Sequence, residues 1–285
     1  MDAAYPAGDF NPADALTELT KLAQPLYREF PWRNTVDPWK ILVSEIMLQQ
    51  TQTARVFAKY TEWFAALPNV YACAKAGKQE ILRLWSGLGY NSRALRLHQC
   101  ANIICKTYNG TVPRSRHDLM KLPGIGTYTS GAVCTFAYDE PHVFLETNIR
   151  TVLIYWLTRI PDWSLPKAGM NDASLLPMLE SLVNLAVKNS FSIRILYYML
   201  MDYGAYIKKT HGNLSVYSKA YTKQGKFKGS VREIRGAIIK ALSREGSITV
   251  SCIKSLYDPA RFAEAVSALV AEGIITCKDN VLLLS

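Results

Sequence analysis

KLPGIGTYTSGAVCTFAYDEPHVFLETNIRTVLIYW, residues 121–156, is the stretch that decides the fold. Two runs with helical spacing are joined by the turn LPGIG, in which Leu122 and Ile125 are the apolar anchors. Its two glycines let successive backbone N–H groups face outward where the next helix begins, and such amides bind anions. The turn predicts a helix-hairpin-helix motif that holds a phosphate, although an ordinary tight helix connection also fits the pentapeptide. The predicted phosphate-binding residues are Gly124, Ile125, Gly126 and Thr127.

Length and composition predict a globular protein. With 285 residues, 49% of them hydrophobic, the chain is long enough to bury a core in one large domain or two smaller ones. It has no run of 18 uncharged apolar residues, and its first residues, MDAAYPAGDF, carry an acid where a secretory signal has basic residues. We therefore expect a cytoplasmic protein with no membrane partner.

The cysteines give no sign of a metal site. None of the six belongs to a C-x-x-C pair, and most lie in apolar helical surroundings, where a free thiol packs like a small hydrophobic group. We expect buried thiols and no metal ligands. The six are Cys73, Cys100, Cys105, Cys134, Cys252 and Cys277.

The net charge of +10 is concentrated in one segment, residues 203–240, which has nine basic residues and one acid. Aromatic residues are interleaved with the basic ones, a composition that suits contact with a phosphate backbone. A solvated linker fits the charge equally well. Within the segment we expect Lys208, Lys209 and Lys223 to contact phosphates.

The order of elements predicts a mostly α fold. From Asp14 to about Ile207 apolar residues recur at helical spacing, with proline and glycine boundaries that separate about ten helices. After the basic segment the pattern reads helix, strand, helix, helix and a hairpin that turns at Asp279–Asn280. This order is typical of a winged helix, a module that binds DNA in some proteins and protein partners in others.

Three further stretches resemble the helix-hairpin-helix DNA glycosylases, the superfamily of endonuclease III and the MutY adenine glycosylases. FPWRNTVDPWKILVSEIMLQQTQTARV (30–56) resembles the MutY opening, LWSGLGYNSRALRLH (84–98) its next signature, and MDYGAYI (201–207) the end of its helical core. The resemblance implies a two-lobed helical core followed by the winged-helix-like α/β module. The implied parts are a lobe from 1–30 and 140–207, a six-helix barrel lobe with the hairpin from 31–139, a basic linker, 208–228, and the C-terminal domain, 229–285.

The resemblance also implies a catalytic acid at Glu146. In this family a carboxylate follows the variable position of the hairpin helix by eighteen residues, the separation of Tyr128 and Glu146. The family has aspartate there, and the added methylene displaces the carboxylate. An ionised side chain beside the sugar stabilises the positive charge that forms when an N-glycosidic bond breaks. We expect a helix N-terminus to lower the pKa of Glu146, and Thr147 and Asn148 to orient the acid or a water. A helix cap in a protein that binds without cutting is the alternative.

Other matched positions narrow the chemistry. Tyr128 stands where endonuclease III has the lysine that forms a Schiff base, so we expect a monofunctional glycosylase with weak or no lyase activity. Glu45 matches the MutY glutamate that protonates the leaving adenine, although a salt-bridged acid on a helix face is also conceivable. Gln50 matches the side chain that enters the base stack, and Tyr90 an aromatic that intercalates beside the opposite base. Asn91 replaces a second tyrosine common in MutY proteins.

Two parts of the family pattern are missing. Most members hold a four-iron cluster with Cys-x6-Cys-x2-Cys-x5-Cys just after the segment matching MDYGAYI, whereas KKTHGNLSVYSKAYTKQGKFKGS (208–230) has no cysteine. We therefore expect no iron–sulfur cluster, and a monovalent cation at the hairpin is the one ion left open. The C-terminal domain by which MutY proteins recognise 8-oxoguanine is also replaced, here by the winged-helix-like module.

The resemblance implies a base-excision-repair glycosylase that acts as a monomer on double-stranded DNA with a mispaired or damaged base. Adenine is the leading substrate. Thymine, uracil or hypoxanthine is the alternative within the family, and a DNA-structure-binding protein without catalysis is the alternative from another class.

Overall fold

The computed structural model describes residues 10–161, 164, 169–222 and 225–285. Within these ranges the chain is mostly α-helical, as predicted, with one small sheet. The helices before the basic segment are α1 (Pro12–Leu26), α2 (Pro38–Leu48), α3 (Thr53–Ala66), α4 (Val70–Lys75), α5 (Lys78–Trp85), α6 (Ser92–Thr107), α7 (Arg116–Leu119), α8 (Thr127–Tyr138), α9 (Thr147–Leu157), α10 (Asp172–Lys188) and α11 (Ile193–Thr210). The C-terminal elements are α12 (Val231–Glu245), β1 (Ser247–Thr249), α13 (Val250–Lys254), α14 (Pro259–Ala271), β2 (Ile275–Lys278) and β3 (Val281–Leu284).

Many helices begin where the sequence provides a side-chain cap. A short polar side chain accepts a hydrogen bond from a backbone N–H that has no partner within the helix. Such caps precede α1, α4, α7, α10, α11, α12 and α14 at Asn11, Asn69, Ser115, Asn171, Ser192, Ser230 and Asp258. Helix α12 ends at Gly246, whose φ of 79° is readily adopted by glycine.

The chain divides into two compact units. One contains Met1–Pro38 and Thr127–Lys223, and the other contains Trp39–Gly126 and Gln224–Ser285. Helix α8 thus falls in the first unit and the C-terminal module in the second. The four-part division inferred from the sequence remains a prediction. None of the helices within the described ranges has both the length and the apolar character needed to cross a lipid bilayer.

In the first unit, helix α11 packs closely against α9 and α1. Tyr197 of α11 is buried, its ring stacks on Phe144 at a centroid distance of 4.1 Å, and its hydroxyl donates to the carbonyl of His142. Two turns further along α11, a Cβ added at Gly204 would lie 2.2 Å from the carbonyl oxygen of Asn148. The first turn of α9 therefore lies against α11 at a distance that only glycine permits.

In the second unit, the C-terminal module has the predicted order of a winged helix. Its three strands form an antiparallel sheet in the order β1-β3-β2, and Asp279 and Asn280 have φ values of 49° and 61°. Such values are typical of a two-residue hairpin turn. Helix α12 packs against α5, where Gln79 donates to the carbonyl of Ser243 (3.3 Å) and Lys78 to that of Ser285. The module is thereby joined to the helical part of its own unit.

Candidate active-site residues

Glu146 is the N-cap of α9. Its Oε1 accepts hydrogen bonds from the backbone N–H groups of Asn148 (2.8 Å) and Ile149 (2.9 Å), and its Oε2 accepts a longer one from Nδ2 of Asn148 (3.3 Å). The acid therefore lies at a helix N-terminus, as expected, and Asn148 contacts both of its oxygens. The nearby Arg150 donates to Asp172 through Nε and Nη2, both at 2.7 Å. Glu146 is thus held by neutral donors and not by an ion pair with Arg150.

The pKa of Glu146 is raised above its ordinary value. Burial is the largest cause, and it outweighs four groups that lower the pKa, the backbone amides of Asn148 and Ile149 and the guanidinium groups of Arg150 and Arg28. The residue as a whole is half-buried, but its carboxylate is largely withdrawn from water. The expectation of a lowered pKa was therefore wrong. The helix end acts in the expected direction, and the loss of hydration is the larger effect.

Two arginines, the half-buried Arg28 and the buried Arg33, surround the buried Asp202 in the same unit, and this cluster was not predicted from the sequence. Arg28 Nε donates to Asp202 Oδ1 (2.6 Å), and Arg33 donates from Nη1 to Oδ2 (2.7 Å) and from Nη2 to Oδ1 (2.9 Å). The side chains of Arg33 and Asp202 are each 3% exposed. Asp202 is the one acid in α11 and follows the mostly apolar run Ile195–Met201, and this signal could have predicted a buried cation beside it. Two guanidinium groups share one carboxylate, so the cluster carries a net positive charge.

Tyr128 occupies the first turn of α8 and is half-buried. Its ring meets Phe144 edge to face at a centroid distance of 5.5 Å. Its hydroxyl also contributes to the raised pKa of Arg150, whose neighbour Glu146 contributes as well. Tyr128, Asn148 and Glu146 therefore belong to one neighbourhood within the first unit.

The other predicted acid, Glu45, lies in the second unit, on α2, and is 5% exposed. Gln50 follows the end of α2 and Tyr90 precedes α6, and both side chains are exposed. Both residues have left-handed backbones, with φ values of 53° and 47°, a conformation that is uncommon for residues other than glycine. The turns that carry them are both hydrogen-bonded to the buried Arg93.

The predicted hairpin has the expected anchors. Leu122 and Ile125 are 2% and 5% exposed, whereas Gly124 and Gly126 lie at the surface and Gly124 has a φ of 78°. The backbone N–H of Ile125 donates to the carbonyl of Leu122 (3.2 Å) and closes the turn. The role of these residues in binding phosphate remains a prediction. Helix α8 begins at Thr127, directly after the turn.

The two predicted phosphate-binding lysines that the structure describes, Lys208 and Lys209, are exposed in the last turn of α11, and Lys223 lies outside the described residues. The segment that follows α11 is tied to the first unit by backbone hydrogen bonds. Met170 N–H donates to Tyr217 O, and Lys219 N–H donates to Met170 O, both at 2.7 Å. These two bonds hold the segment after α11 against Met170, and the absence of an iron–sulfur cluster remains a prediction.

Among the residues that the structure describes, one group of side chains offers donor atoms for a metal ion. Atoms of Cys134, Glu140 and His142 all lie within 4.8 Å of one another. Tetrahedral zinc has bonds of about 2.0–2.3 Å, which put its ligands roughly 3.5 Å apart. A hydrogen bond of 3.2 Å between His142 Nε2 and Glu140 Oε2 already explains why two of the three side chains meet. The prediction that the protein has no metal cofactor remains a prediction.

Parts of the chain match a known family model and known adenine DNA glycosylases. Residues 43–177 match the family model "HhH-GPD superfamily base excision DNA repair protein". An adenine DNA glycosylase of Mycobacterium tuberculosis is 41% identical over 164 residues, 57% of this chain and 54% of that protein. The adenine DNA glycosylase of Mycolicibacterium smegmatis is 47% identical over 127 residues, 44% of this chain and 43% of that protein. The chain thus spans about half the length of the curated relatives it matches.

Solved structures show the same fold. A thermostable thymine-DNA glycosylase superposes with a TM-score of 0.55 at 27% identity, over 68% of this chain and 86% of that chain. Endonuclease III in a non-covalent DNA complex superposes with a TM-score of 0.54 at 19% identity, over 74% of this chain and 93% of that chain. The second likeness is one of fold alone.

Proposed function

Because residues 43–177 match the model of the HhH-GPD superfamily of base excision DNA repair proteins, we propose that the chain is a member of that superfamily and a monofunctional DNA glycosylase. It hydrolyses the N-glycosidic bond of a base turned out of double-stranded DNA, and adenine in a mispair is its leading substrate. The adenine DNA glycosylases of two mycobacteria, 41% and 47% identical over the matched residues, support this choice. Tyr128 in the hairpin helix supports hydrolysis without a Schiff base, because a phenol cannot form an imine.

The observation that carries the proposal is the fixed carboxylate of Glu146. As the glycosidic bond breaks, positive charge develops on the deoxyribose, and an anion held in place beforehand stabilises that charge without reorganising. Two backbone amides hold Oε1, so the carboxylate does not need to be ordered during the reaction. Burial strengthens its field, and Arg28 favours its ionised form. Glu146 acts in the ionised state.

Glu45 is the proposed general acid. A purine becomes a better leaving group when N7 is protonated, and a carboxylic acid is a suitable donor. The side chain of Glu45 is buried near the end of α2, where the surrounding residues shield a protonated acid from water. This division of roles makes Glu45 specific to purine excision, whereas Glu146 is needed for any base.

DNA binding is assigned to the hairpin and to basic residues. Backbone amides at Gly124, Gly126 and Thr127 hold a phosphate, and the lysines at the end of α11 add positive charge. Gln50 and Tyr90 occupy the gap that the extruded base leaves in the stack. The exposure of both side chains supports this role. The protein acts on DNA as a monomer and without an iron–sulfur cluster.

A thymine in a mispair is the second candidate substrate. The solved thymine-DNA glycosylase is 27% identical to this chain, and Tyr128 stands at the hairpin position where mismatch thymine glycosylases also have tyrosine. Uracil and hypoxanthine belong to the same alternative. A protein that binds DNA structures without catalysis would keep the hairpin and have no use for an ionised acid at Glu146.

One experiment separates these functions. Duplexes with adenine, thymine, uracil or hypoxanthine in a defined mispair are incubated with the protein and treated with alkali, which breaks the strand only where a base has been removed. We expect strand breaks at adenine with the wild-type protein. Glu146→Gln should produce no breaks but should still bind DNA. Glu45→Gln should lose the breaks at adenine selectively. Binding to every duplex with no breaks in any of them would refute the enzyme and favour the binding protein.

A further inference from the structure

Arg93 is a buried arginine that makes no ion pair within the described residues. It is 7% exposed, and all six hydrogen bonds of its guanidinium go to uncharged acceptors. Nη1 donates to the carbonyls of Ile46 (2.7 Å), Met47 (3.2 Å) and Gln49 (2.5 Å), and Nη2 donates to the hydroxyl of Thr51 (3.0 Å) and the carbonyls of Leu88 (3.2 Å) and Gly89 (3.1 Å). A cation this far from water is costly unless such a network satisfies it.

The Nη1 contacts lie at the C-terminal end of α2. The last four carbonyls of a helix have no partner within it, and a cation favours that end of the helix dipole. Arg93 satisfies two of these carbonyls from another helix, α6. Glu45, the proposed general acid, directly precedes Ile46 in this turn. The guanidinium therefore fixes the part of α2 that carries the acid.

Other hydrogen bonds of Arg93 go to residues directly beside Gln50 and Tyr90, the two exposed residues with left-handed backbones. Gln50 lies between two of the acceptors, the carbonyl of Gln49 and the hydroxyl of Thr51. Tyr90 directly follows Gly89, and its carbonyl accepts from the backbone N–H of Arg93 (2.9 Å). Left-handed conformations of such residues persist only where the surrounding structure enforces them, and they are common at functional sites. Here one buried side chain enforces both.

We propose that Arg93 is a positioning residue that fixes Glu45, Gln50 and Tyr90 relative to one another before DNA is bound. This inference rests on the roles proposed above for those three residues. Arg93 itself touches no reacting atom. Its planar fork of donors is what allows one side chain to bridge two turns, and a lysine at the same position has a compact ammonium that cannot reach both sets of acceptors.

The first test compares Arg93→Lys with the wild-type protein on a duplex that carries an adenine–guanine mispair. We expect the Kd for a fully paired duplex, which reports binding without extrusion, to change by less than about threefold. The single-turnover rate of base removal should fall about 10–100-fold. In a second duplex 2-aminopurine replaces the mispaired adenine, and the fluorescence rise that reports extrusion should be smaller and slower. Equal excision and equal extrusion in folded Arg93→Lys would overturn the proposal.

A milder pair of variants guards against loss of folding. Thr51→Val removes only one acceptor of Arg93, and Thr61→Val makes the same change on the exposed face of α3, where the hydroxyl bonds its own helix at 3.3 Å. We expect slower extrusion with Thr51→Val and no change with Thr61→Val. A purely structural role for Arg93 predicts the opposite, lower thermal stability with the wild-type rate of extrusion.

A double-mutant cycle with Gln50→Ala gives a further readout. If Arg93 acts through Gln50, then Gln50→Ala should reduce extrusion strongly in the wild-type background and much less in the Arg93→Lys background. Additive effects would overturn the proposal. The same data separate a failure of this proposal from a failure of the proposed function. A wild-type protein that removes no base from any duplex would refute the glycosylase function. The extrusion signal would still test the role of Arg93.

Discussion

Gly204→Ala should displace Glu146, the proposed catalytic acid, without contacting its side chain. The new Cβ would lie 2.2 Å from the carbonyl oxygen of Asn148, 2.6 Å from its carbonyl carbon and 2.7 Å from its Cβ. Ordinary van der Waals contact begins at 3.4 Å, so the two backbones must separate by about 1 Å. Both are helical backbones that cannot rotate away as a side chain would. The first turn of α9, which holds the carboxylate of Glu146, must therefore move.

The expected effect on rate is larger than the effect on stability. A displacement of about 1 Å at a catalytic group can lower the rate roughly 100-fold. Overpacking typically costs about 1–3 kcal/mol, and alanine regains about 1 kcal/mol over glycine within a helix. The net loss of unfolding free energy should be about 2 kcal/mol, from the upper end of the overpacking range because the contact is between backbones, and a domain of ordinary stability remains folded after such a loss.

Single-turnover excision from an adenine–guanine duplex measures the rate, and thermal unfolding measures the stability. Gly236→Ala is the matched control, because this glycine is also helical and an added Cβ there would meet nothing within 4 Å. The control should keep the wild-type rate and gain up to about 1 kcal/mol. If folded Gly204→Ala excised adenine within about threefold of the wild-type rate, the contact between α9 and α11 would not be what positions Glu146.

Four further predictions concern charged side chains. Because the pKa of Glu146 is raised, excision should decline on the acid side at a pH above the ordinary glutamate value of about 4.3, and a decline only below that value would contradict the assigned role. A raised pKa in the folded state also means that the protein loses stability as pH rises from the ordinary glutamate pKa through the folded-state pKa of Glu146. The melting temperature of Glu146→Gln should therefore rise relative to that of the wild type as pH increases above about 4.3, and no relative rise would show that burial does not raise the pKa. Asp202→Asn leaves the two arginines without their carboxylate and should cost about 3–5 kcal/mol in denaturant unfolding, whereas a loss below about 1 kcal/mol would show that the cluster is solvated. Replacing Lys208 and Lys209 by alanine should reduce the slope of log Kd against the logarithm of the salt concentration by about 2. The rate of base excision from bound DNA should not change. An unchanged slope would show that neither lysine contacts DNA.

The sequence by itself determined the features that depend on neighbouring residues. The helix boundaries, the LPGIG turn and the hairpin at Asp279–Asn280 follow from caps, glycines and prolines within a few positions of each break. Glu146 was placed correctly at the beginning of a helix for the same reason, since an N-cap bonds amides only two and three residues further on. The order of elements in the C-terminal module was readable because each element has its own local pattern.

Only the tertiary structure decided the features that depend on distant residues or on burial. Asp202 meets Arg28 from 174 positions along the chain, and Arg93 binds acceptors up to 47 positions away. No local pattern encodes such pairs, because many arrangements of the same helices are compatible with the same spacing. The pKa of Glu146 shows this most directly. Its helix end, visible in the sequence, lowers the pKa, but the hydration that the folded chain removes from the carboxylate is the larger effect, and it depends on how the helices pack.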